Sequence, residues 1–175
     1  MNDTLRLLEA VRYAAIQHRR QRRKGGEAHP YINHPVAVAH LLASVAGVTD
    51  IALLQAAVLH DTVEDTGSTE EDLRARFGDD VARLVMEVTD DKSLPKAMRK
   101  QLQIDHAHHK SERARLLKIA DKIQNLTDIR DEPPADWSLE RKREYFDWAA
   151  AVVAGLRGVN AALDALFDEV YARKP

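Results

Sequence analysis

The sequence predicts an all-α protein folded as a single helical bundle. Apolar residues recur at helical rather than alternating spacing along almost the whole chain. Helix start and stop signals divide the chain, and no internal repeat or Gly- or Ser-rich linker separates domains. A chain of 175 residues can bury most of its apolar surface around one core. We therefore expect one domain spanning residues 1–175.

Two apolar stripes define the first predicted helix and one in the middle of the chain. Each stripe should turn one face of its helix towards the core, and neither segment alternates as a strand would. The two stripes consist of Leu5, Leu8, Val11 and Ala15, and of Val81, Leu84, Val85 and Val88.

Residues that start or stop helices predict the remaining elements. The capping-box pattern Ser68-x-x-Glu71 predicts one helix start, and Gly78 predicts the end of that helix. Further starts are predicted at or beside Pro35, Thr49, Pro95, Ser111, Ser138 and Asn160. The helix that begins at Ser111 should extend to about Arg130, because Pro133-Pro134 follows.

Composition and charge narrow the classes of function. A formal net charge of −2 gives no general attraction to nucleic acid or to an anionic membrane. No apolar run has membrane-spanning length, and the start of the chain does not resemble a secretion signal, so we expect a cytoplasmic protein. Without cysteine, a metal site must use histidine nitrogen and carboxylate oxygen, which favours a hydrolytic over a structural metal.

The most informative polar residues are His60 and Asp61, which close the apolar segment 51–59. Glu64 follows His60 by four positions, and Asp65 follows Asp61 by four. If the helix continues, all four groups line neighbouring strips of one face. Three carboxylates crowded beside an imidazole need a cation.

Two other positions offer further metal ligands. Asp121 lies one turn before Asn125 in an otherwise apolar helix, and His34 precedes Pro35 at the end of a loop. Two histidines and two aspartates, with water completing the shell, suit Mn²⁺ better than a closed structural zinc site. Taken singly, each residue also fits a helix-end salt bridge or a satisfied core polar group. Their combination favours a metal-dependent phosphohydrolase.

Four strings together resemble the hydrolase domain of the RelA/SpoT family. They are Arg22-Arg-Lys24, Tyr31-Ile-Asn-His-Pro35, His60-Asp-Thr-Val-Glu-Asp65 and Lys118-Ile-Ala-Asp-Lys-Ile-Gln-Asn125. The resemblance covers nearly the whole chain and is strongest to the small stand-alone hydrolases typified by metazoan SpoT homologues. It implies an all-α HD-domain fold, a Mn²⁺ cofactor and removal of the 3′-pyrophosphate from ppGpp and pppGpp.

The resemblance also implies roles for individual residues. The metal ligands would be His34, His60, Asp61 and Asp121. Glu64 and Asp65 would act on the attacking water, and we interpret Glu64 as the orienting group and Asp65 as the base. The positions that match the nucleotide pocket are Arg23, Lys24, Tyr31, Lys96, Asn125, Arg141 and Tyr145.

Two alternatives for the function remain open. Small hydrolases of this kind are also expected to accept NADPH, removing its 2′-phosphate, and other HD proteins cleave other nucleotides. The loop 25–30 departs from close relatives, which leaves the substrate preference undetermined. A nucleotide sensor without turnover is less favoured, because a binder does not need the carboxylates of Glu64 and Asp65.

Other polar and aromatic clusters have simpler interpretations. We interpret the basic run 19–24 as local phosphate binding and a solvated face, not as a nucleic-acid surface. The best rival metal cluster is His106, His108 and His109, which we expect on a solvent-exposed face. The aromatic residues predicted mainly as core are Trp137, Tyr145, Phe146 and Trp148, with Tyr145 also able to face the pocket.

Overall fold

The computed structural model describes residues 2–175 as helices joined by short loops. The helices are α1 (Asp3–Gln17), α2 (Asn33–Ser44), α3 (Ile51–Leu59), α4 (Thr62–Asp65), α5 (Glu70–Phe77), α6 (Asp79–Val88), α7 (Lys96–Asp105), α8 (Glu112–Asp131), α9 (Leu139–Ala154) and α10 (Ala161–Tyr171), with a 3₁₀ turn at Ala107–His109. Within residues 2–175 no β-strand forms, and extended pairing is limited to two isolated bridges, Arg22 with Pro30 and Gly25 with Pro134. The all-α prediction is confirmed.

The chain divides into two compact units. The first consists of Met1–Arg22 and Pro30–Asp91, and the second of Arg23–His29 and Lys92–Pro175. The loop 23–29 therefore groups with the second half of the chain. The expectation of a single domain over residues 1–175 stays a prediction. From residue 2 onward, no helix combines the length and the apolar character needed to cross a membrane.

Helix α3 is the central element of the first unit. It packs against α1, α2 and α6, and every residue from Ala52 to Leu59 is buried. A helix that is apolar all round must be surrounded by other elements, and this one is. Its N-cap is Asp50, whose Oδ1 accepts hydrogen bonds from the backbone N–H groups of Ala52 and Leu53. The predicted start at Thr49 was one residue early.

The buried face of α1 differs from the predicted one. Leu5 and Leu8 are 46% and 58% exposed, so the predicted leucine stripe is wrong. The buried positions are Ala10 and Ala14, followed by His18 at the C-cap. Small side chains let α1 approach α3 closely. For this reason the alanine face of α1 is buried, and the face with the larger leucines is not. The stripe predicted on α6 is confirmed, since all four of its members are buried.

The capping box of α5 is formed by Thr69 and Asp72, not by Ser68 and Glu71. Asp72 N–H donates to Thr69 Oγ1 at 3.2 Å, and Thr69 N–H donates to Asp72 Oδ2 at 3.0 Å. Ser68 is buried instead, and its Oγ accepts the hydroxyl proton of Tyr13. The Ser68–Glu71 and Thr69–Asp72 patterns are offset by one residue. Because Ser68 is hydrogen-bonded to Tyr13, Thr69 is the N-cap.

Helix α8 is the central element of the second unit and packs against α9 and α10. Ser111 Oγ accepts from the backbone N–H of Ala114 at 3.3 Å, which confirms the predicted start. The helix ends at Asp131, one residue beyond the prediction. The predicted caps Ser138 and Asn160 are also confirmed, because their side chains accept backbone hydrogen bonds at the starts of α9 and α10.

The end of α9 generates a stability prediction. A Cβ added at Gly155 would lie 2.7 Å from Ala107 Cβ, inside van der Waals contact. We expect Gly155→Ala to lower the free energy of unfolding by about 1–3 kcal/mol, measured by urea denaturation. Gly26→Ala is the control in the same unit, since nothing lies within 4 Å of its added Cβ. It should change stability by less than about 0.5 kcal/mol. Equal losses in both variants would contradict the packing argument.

Candidate functional site

The His60-Asp61 pair occupies a turn between two helices. Helix α3 ends at Leu59 and α4 begins at Thr62, so the conditional prediction of one continuous helix is wrong. The turn is closed by Thr62 Oγ1, which donates to the Leu59 carbonyl at 2.7 Å. It brings His60 Nε2 to within 3.1 Å of Asp61 Oδ2. The two predicted ligands thus lie side by side.

The tautomer of His60 is determined by the backbone. Its Nδ1 lies 2.7 Å from the carbonyl oxygen of Ala57, and a carbonyl can only accept, so Nδ1 carries the proton. In the neutral ring, Nε2 then presents a lone pair towards Asp61 Oδ2. Two electron-rich atoms this close are stable when a cation binds both. The residues therefore fit a metal ion.

Asp61 Oδ2 is also the point towards which Tyr31 and His34 converge. Tyr31 donates its hydroxyl proton to this oxygen at 2.6 Å, and His34 Nε2 lies 3.9 Å from it. His34 is buried in the first turn of α2, and its ring centroid is 5.4 Å from that of His60. Tyr31, which the resemblance assigns to nucleotide binding, here orients a predicted metal ligand.

Glu64 and Asp65 end α4 and are held by different partners. Glu64 Oε2 accepts the backbone N–H of Asp90 at 3.2 Å. Burial, followed by the negative charges of Asp61 and Asp90, raises the pKa of Glu64 above its ordinary value, although the Asp90 N–H opposes the shift. Asp65 Oδ2 accepts Gln21 Nε2–H at 2.9 Å. The two predicted catalytic carboxylates therefore have distinct environments.

In the second unit, both carboxylate oxygens of Asp121 accept hydrogen bonds. Lys122 Nζ donates to Oδ2 at 3.0 Å, and Asn125 Nδ2 donates to Oδ1 at 2.7 Å. Asp121 and Lys122 are both buried in α8. A buried carboxylate is stable only when it is paired and hydrogen-bonded, and these two neighbours provide both. Lys122 also limits the rotation of the Asp121 side chain.

Arg23 extends the hydrogen-bond network of Asp121. Its Nη2 donates to Asn125 Oδ1 at 3.1 Å and pairs with Asp128. Asn125 thus links Arg23 to Asp121 through its amide. Both residues match the nucleotide pocket by resemblance, and within this unit they orient the carboxylate of α8.

Gly25 anchors the loop that carries Arg23 and Lys24. A Cβ at position 25 would lie 2.8 Å from the carbonyl oxygen of Glu132, so the backbones approach too closely for a larger residue. Lys24 is exposed beside this contact. The close contact with the C-cap of α8 fixes the start of the loop.

A row of aromatic rings lies along α9 and the segment before it. The ring centroids of Trp137 and Tyr145 are 5.7 Å apart, and those of Tyr145 and Trp148 are 5.1 Å apart. All three residues are half-buried, whereas Phe146 is fully buried. The prediction that these aromatic residues belong mainly to the core is therefore correct only for Phe146.

Cations surround this aromatic row. The Arg141 guanidinium lies 4.4 Å from the Trp137 ring centroid, and the Lys100 and Lys122 ammonium groups each lie 4.6 Å from the Trp148 ring centroid. Burial, followed by the positive charge of Lys96, lowers the pKa of Lys100. Neighbouring cations repel one another, and a bound anion would relieve this repulsion.

Three buried residues each offer one ligand atom of a kind that binds divalent metals. These atoms belong to His34 and His60 in the first unit and to Asp121 in the second. The histidines of the rival cluster 106–109 are exposed, as predicted, and across residues 2–175 they belong to no such metal group.

Sequence reasoning missed several residues that support these groups. Lys122 had a usable signal, because it interrupts the same apolar stretch of helix as Asp121 and carries the opposite charge. Gln21 was hidden inside the basic run 19–24, and its contact with Asp65 spans 44 positions. Asp90 contributes a backbone N–H to Glu64, which no side-chain pattern could indicate.

Comparison with known proteins places the chain among nucleotide hydrolases. Residues 10–158 match the HD domain family. The guanosine-3′,5′-bis(diphosphate) 3′-pyrophosphohydrolase MESH1 of Xenopus tropicalis is 52% identical over 170 residues, covering 97% of this chain and 95% of the relative. The human protein of the same name is 51% identical over 173 residues, covering 99% and 97%.

A solved structure gives the same result. A metazoan ortholog of SpoT that hydrolyses ppGpp superposes with a TM-score of 0.94 at 48% identity, covering 96% of this chain and 94% of that one. These similarities confirm the resemblance that the four sequence strings indicated. The chain belongs to the HD-domain family and, within it, to the group that contains the MESH1 pyrophosphohydrolases.

Proposed function

We propose that this protein is a Mn²⁺-dependent hydrolase that converts ppGpp to GDP and pyrophosphate, and pppGpp to GTP and pyrophosphate. The observation that carries the proposal is the 3.1 Å approach of His60 Nε2 to Asp61 Oδ2. The relatives that cover the chain at about half identity bear the name of this activity. The family match runs through both units, so we propose one hydrolase domain over residues 1–175.

The metal ligands in this proposal are His34, His60, Asp61 and Asp121. Imidazole and carboxylate donors without thiolate suit Mn²⁺, which accepts both nitrogen and oxygen. When bound, such an ion would lower the pKa of a coordinated water and neutralise charge on the reacting phosphate. The backbone carbonyl of Ala57 contributes by keeping the His60 proton on Nδ1.

Glu64 and Asp65 act on the water in this mechanism. The water oxygen forms a bond to phosphorus, and the bond from that phosphorus to the ribose 3′-oxygen breaks. Asp65 accepts one proton of the water while Glu64 orients that water. The departing 3′-oxygen takes up a proton from the solvent, and Asp65 later returns its proton to the solvent. The different partners of the two carboxylates, Gln21 for Asp65 and the Asp90 N–H for Glu64, support separate roles.

The remaining predicted residues bind the nucleotide. The cations meet phosphate groups, and the Tyr145 ring offers an apolar face to the nucleoside. The residues in this role are Arg23, Lys24, Tyr31, Lys96, Asn125, Arg141 and Tyr145. The partners are small nucleotides, without nucleic acid or membrane. We propose a cytoplasmic location for the enzyme.

Metal removal tests the central assignment. A chelator should abolish pyrophosphate release from ppGpp, and Mn²⁺ should restore it better than Mg²⁺ or Ca²⁺. His60→Ala should lose both bound manganese, measured by elemental analysis, and turnover. His108→Ala, at an exposed position, should lose neither. Full activity after exhaustive chelation would disprove the metal assignment. A higher kcat/KM for NADPH than for ppGpp would replace the proposed substrate.

The Glu64→Gln and Asp65→Asn variants test the carboxylate roles. Each should reduce the single-turnover rate by about 10²- to 10⁴-fold, while nucleotide affinity persists. Glu71→Gln, an exposed change on α5, serves as the control and should leave the rate unchanged. Wild-type rates in both test variants would refute the mechanism.

The raised pKa of Glu64 adds a stability readout on the metal-free protein. A carboxyl whose folded pKa is raised stabilises the fold below its ordinary pKa of 4.5, and this contribution disappears as the pH rises through the folded value. Glu64→Gln should therefore raise the Tm of the chelated protein at neutral pH. The gain should vanish below pH 4.5. A lower Tm at neutral pH would contradict the inferred shift.

Charge removal tests the nucleotide pocket. Arg141→Ala and Lys24→Ala should raise KM for ppGpp or lower kcat/KM while manganese content stays intact, because their charges meet phosphate. The salt dependence of KM should also weaken in both variants. Arg143→Ala is the control on α9, since Arg143 is exposed and its Nε donates to the carbonyl of Pro175. Unchanged kinetics in both test variants would place the phosphates elsewhere.

A further inference from the structure

Two hydrogen bonds connect His18 to Asp65 through Gln21. His18 Nδ1 lies 2.6 Å from Gln21 Oε1, and Gln21 Nε2–H donates to Asp65 Oδ2 at 2.9 Å. The ionised carboxylate can only accept, so Gln21 presents its NH₂ group to Asp65 and its oxygen to His18. His18 therefore carries a proton on Nδ1. Because the Asp65 carboxylate must accept, the donor and the acceptor of both hydrogen bonds are determined.

His18 is a costly residue for this position. It is 2% exposed, and its Nε2 has no hydrogen-bond partner among residues 2–175. An unsatisfied buried polar atom costs about 1–3 kcal/mol, so an apolar residue of similar size would be more stable here. A histidine at this position is explained if its Nδ1–H is required as the donor to Gln21. Its ring also packs against Tyr31, with centroids 4.8 Å apart.

The main chain of Gln21 is held on both sides. Gln21 N–H donates to the His18 carbonyl at 2.8 Å, and Tyr31 N–H donates to the Gln21 carbonyl at 3.1 Å. Its neighbours Arg20 and Arg22 are exposed, whereas Gln21 is half-buried. The uncharged residue that interrupts the basic run therefore points inward from a fixed backbone, and His18 removes the remaining freedom of its amide.

We propose that His18 and Gln21 are positioning residues for the hydrolytic step. His18 fixes the amide orientation of Gln21, and Gln21 holds Asp65 in the rotamer from which it accepts the proton of the water. This inference rests on the proposed function, which makes Asp65 the base. Neither residue is among the proposed metal or nucleotide ligands, so their loss should reduce kcat and leave KM and metal content unchanged.

The decisive comparison is between His18→Leu and His18→Asn. Leucine fills the volume but offers no donor, whereas the asparagine amide nitrogen reaches the place of the histidine Nδ1. His18→Leu and Gln21→Leu should each lower kcat for ppGpp on the order of 10- to 100-fold, because a misplaced catalytic group loses that much. His18→Asn should recover most of the rate. The double variant His18→Leu/Gln21→Leu should be no slower than Gln21→Leu, since His18 and Gln21 act through one chain of hydrogen bonds.

A second substitution and a control separate positioning from folding. Gln21→Glu keeps the shape but replaces the donor by a carboxylate, so its kcat should fall at least as far as that of Gln21→Leu. Gln55→Leu removes a buried glutamine of the same unit, which donates to the Arg6 carbonyl. It should change Tm without changing kcat. Manganese content and Tm are measured for every variant.

The outcomes distinguish this inference from the proposed function. A wild-type rate in Asp65→Asn would show that Asp65 is not the base, whatever Gln21 does. If Asp65→Asn is inactive and both leucine variants keep wild-type kcat, the positioning role is overturned. The role would also be overturned if His18→Asn lost as much kcat as His18→Leu and the two variants had equally lowered Tm values. In that case the role of His18 would be structural. Added to Asp65→Asn, Gln21→Leu should produce no further loss.

Discussion

The burial of α3 determines where the chemistry of the first unit is placed. Because every residue from Ala52 to Leu59 is enclosed, the polar residues that follow emerge at the edge of a core rather than in solvent. There His60 Nε2 and Asp61 Oδ2 approach to 3.1 Å, with the imidazole proton committed to a backbone carbonyl. An apolar helix thus positions two electron-rich atoms whose proximity a bound cation would stabilise. The turn between α3 and α4 makes this pairing geometrically feasible.

The two units compensate their buried charges in different ways. In the second unit, Asp121 receives hydrogen bonds from Lys122 and Asn125, and Asn125 is linked in turn to Arg23. In the first unit, burial and then the neighbouring carboxylates raise the pKa of Glu64, despite its hydrogen bond to the backbone N–H of Asp90. Incomplete compensation favours cation binding. A carboxylate that is already oriented lets a cation bind without further ordering.

The sequence was most informative where chemistry depends on residue type. The absence of cysteine, the His60-Asp61 pair and the interruption of an apolar helix by Asp121 predicted histidine nitrogen and carboxylate oxygen as the metal ligands, and His34, His60 and Asp121 each offer such an atom. The positions of the helices were also largely predictable, because Ser111, Ser138 and Asn160 cap as their side chains allow.

The failures came from tertiary packing. The turn after Leu59 contains neither glycine nor proline, so no local signal marks it. The exposure of Leu5 and Leu8 follows from close packing of the alanine face of α1. The link from Gln21 to Asp65 joins two segments distant in the chain, and a lone glutamine in a basic run does not reveal its partner. Periodicity reports which residues are apolar, but not which face comes nearest to a neighbour.

In the second unit, Lys122 connects the orientation of the Asp121 carboxylate with the cations beside the Trp148 ring. Its ammonium group donates to Asp121 Oδ2 and also lies 4.6 Å from the centroid of the Trp148 ring, on which Lys100 lies as well. Burial, followed by the positive charge of Lys96, lowers the pKa of Lys100, so part of the cost of gathering these cations is already present in the free protein. A bound anion would relieve that cost. Neutralising Lys122 would therefore remove one of these cations and also release the carboxylate of Asp121, so its two effects cannot be separated by a single substitution. Lys100 lies against the same ring, and its removal would take away one of these cations while the hydrogen bond from Lys122 to Asp121 stays in place.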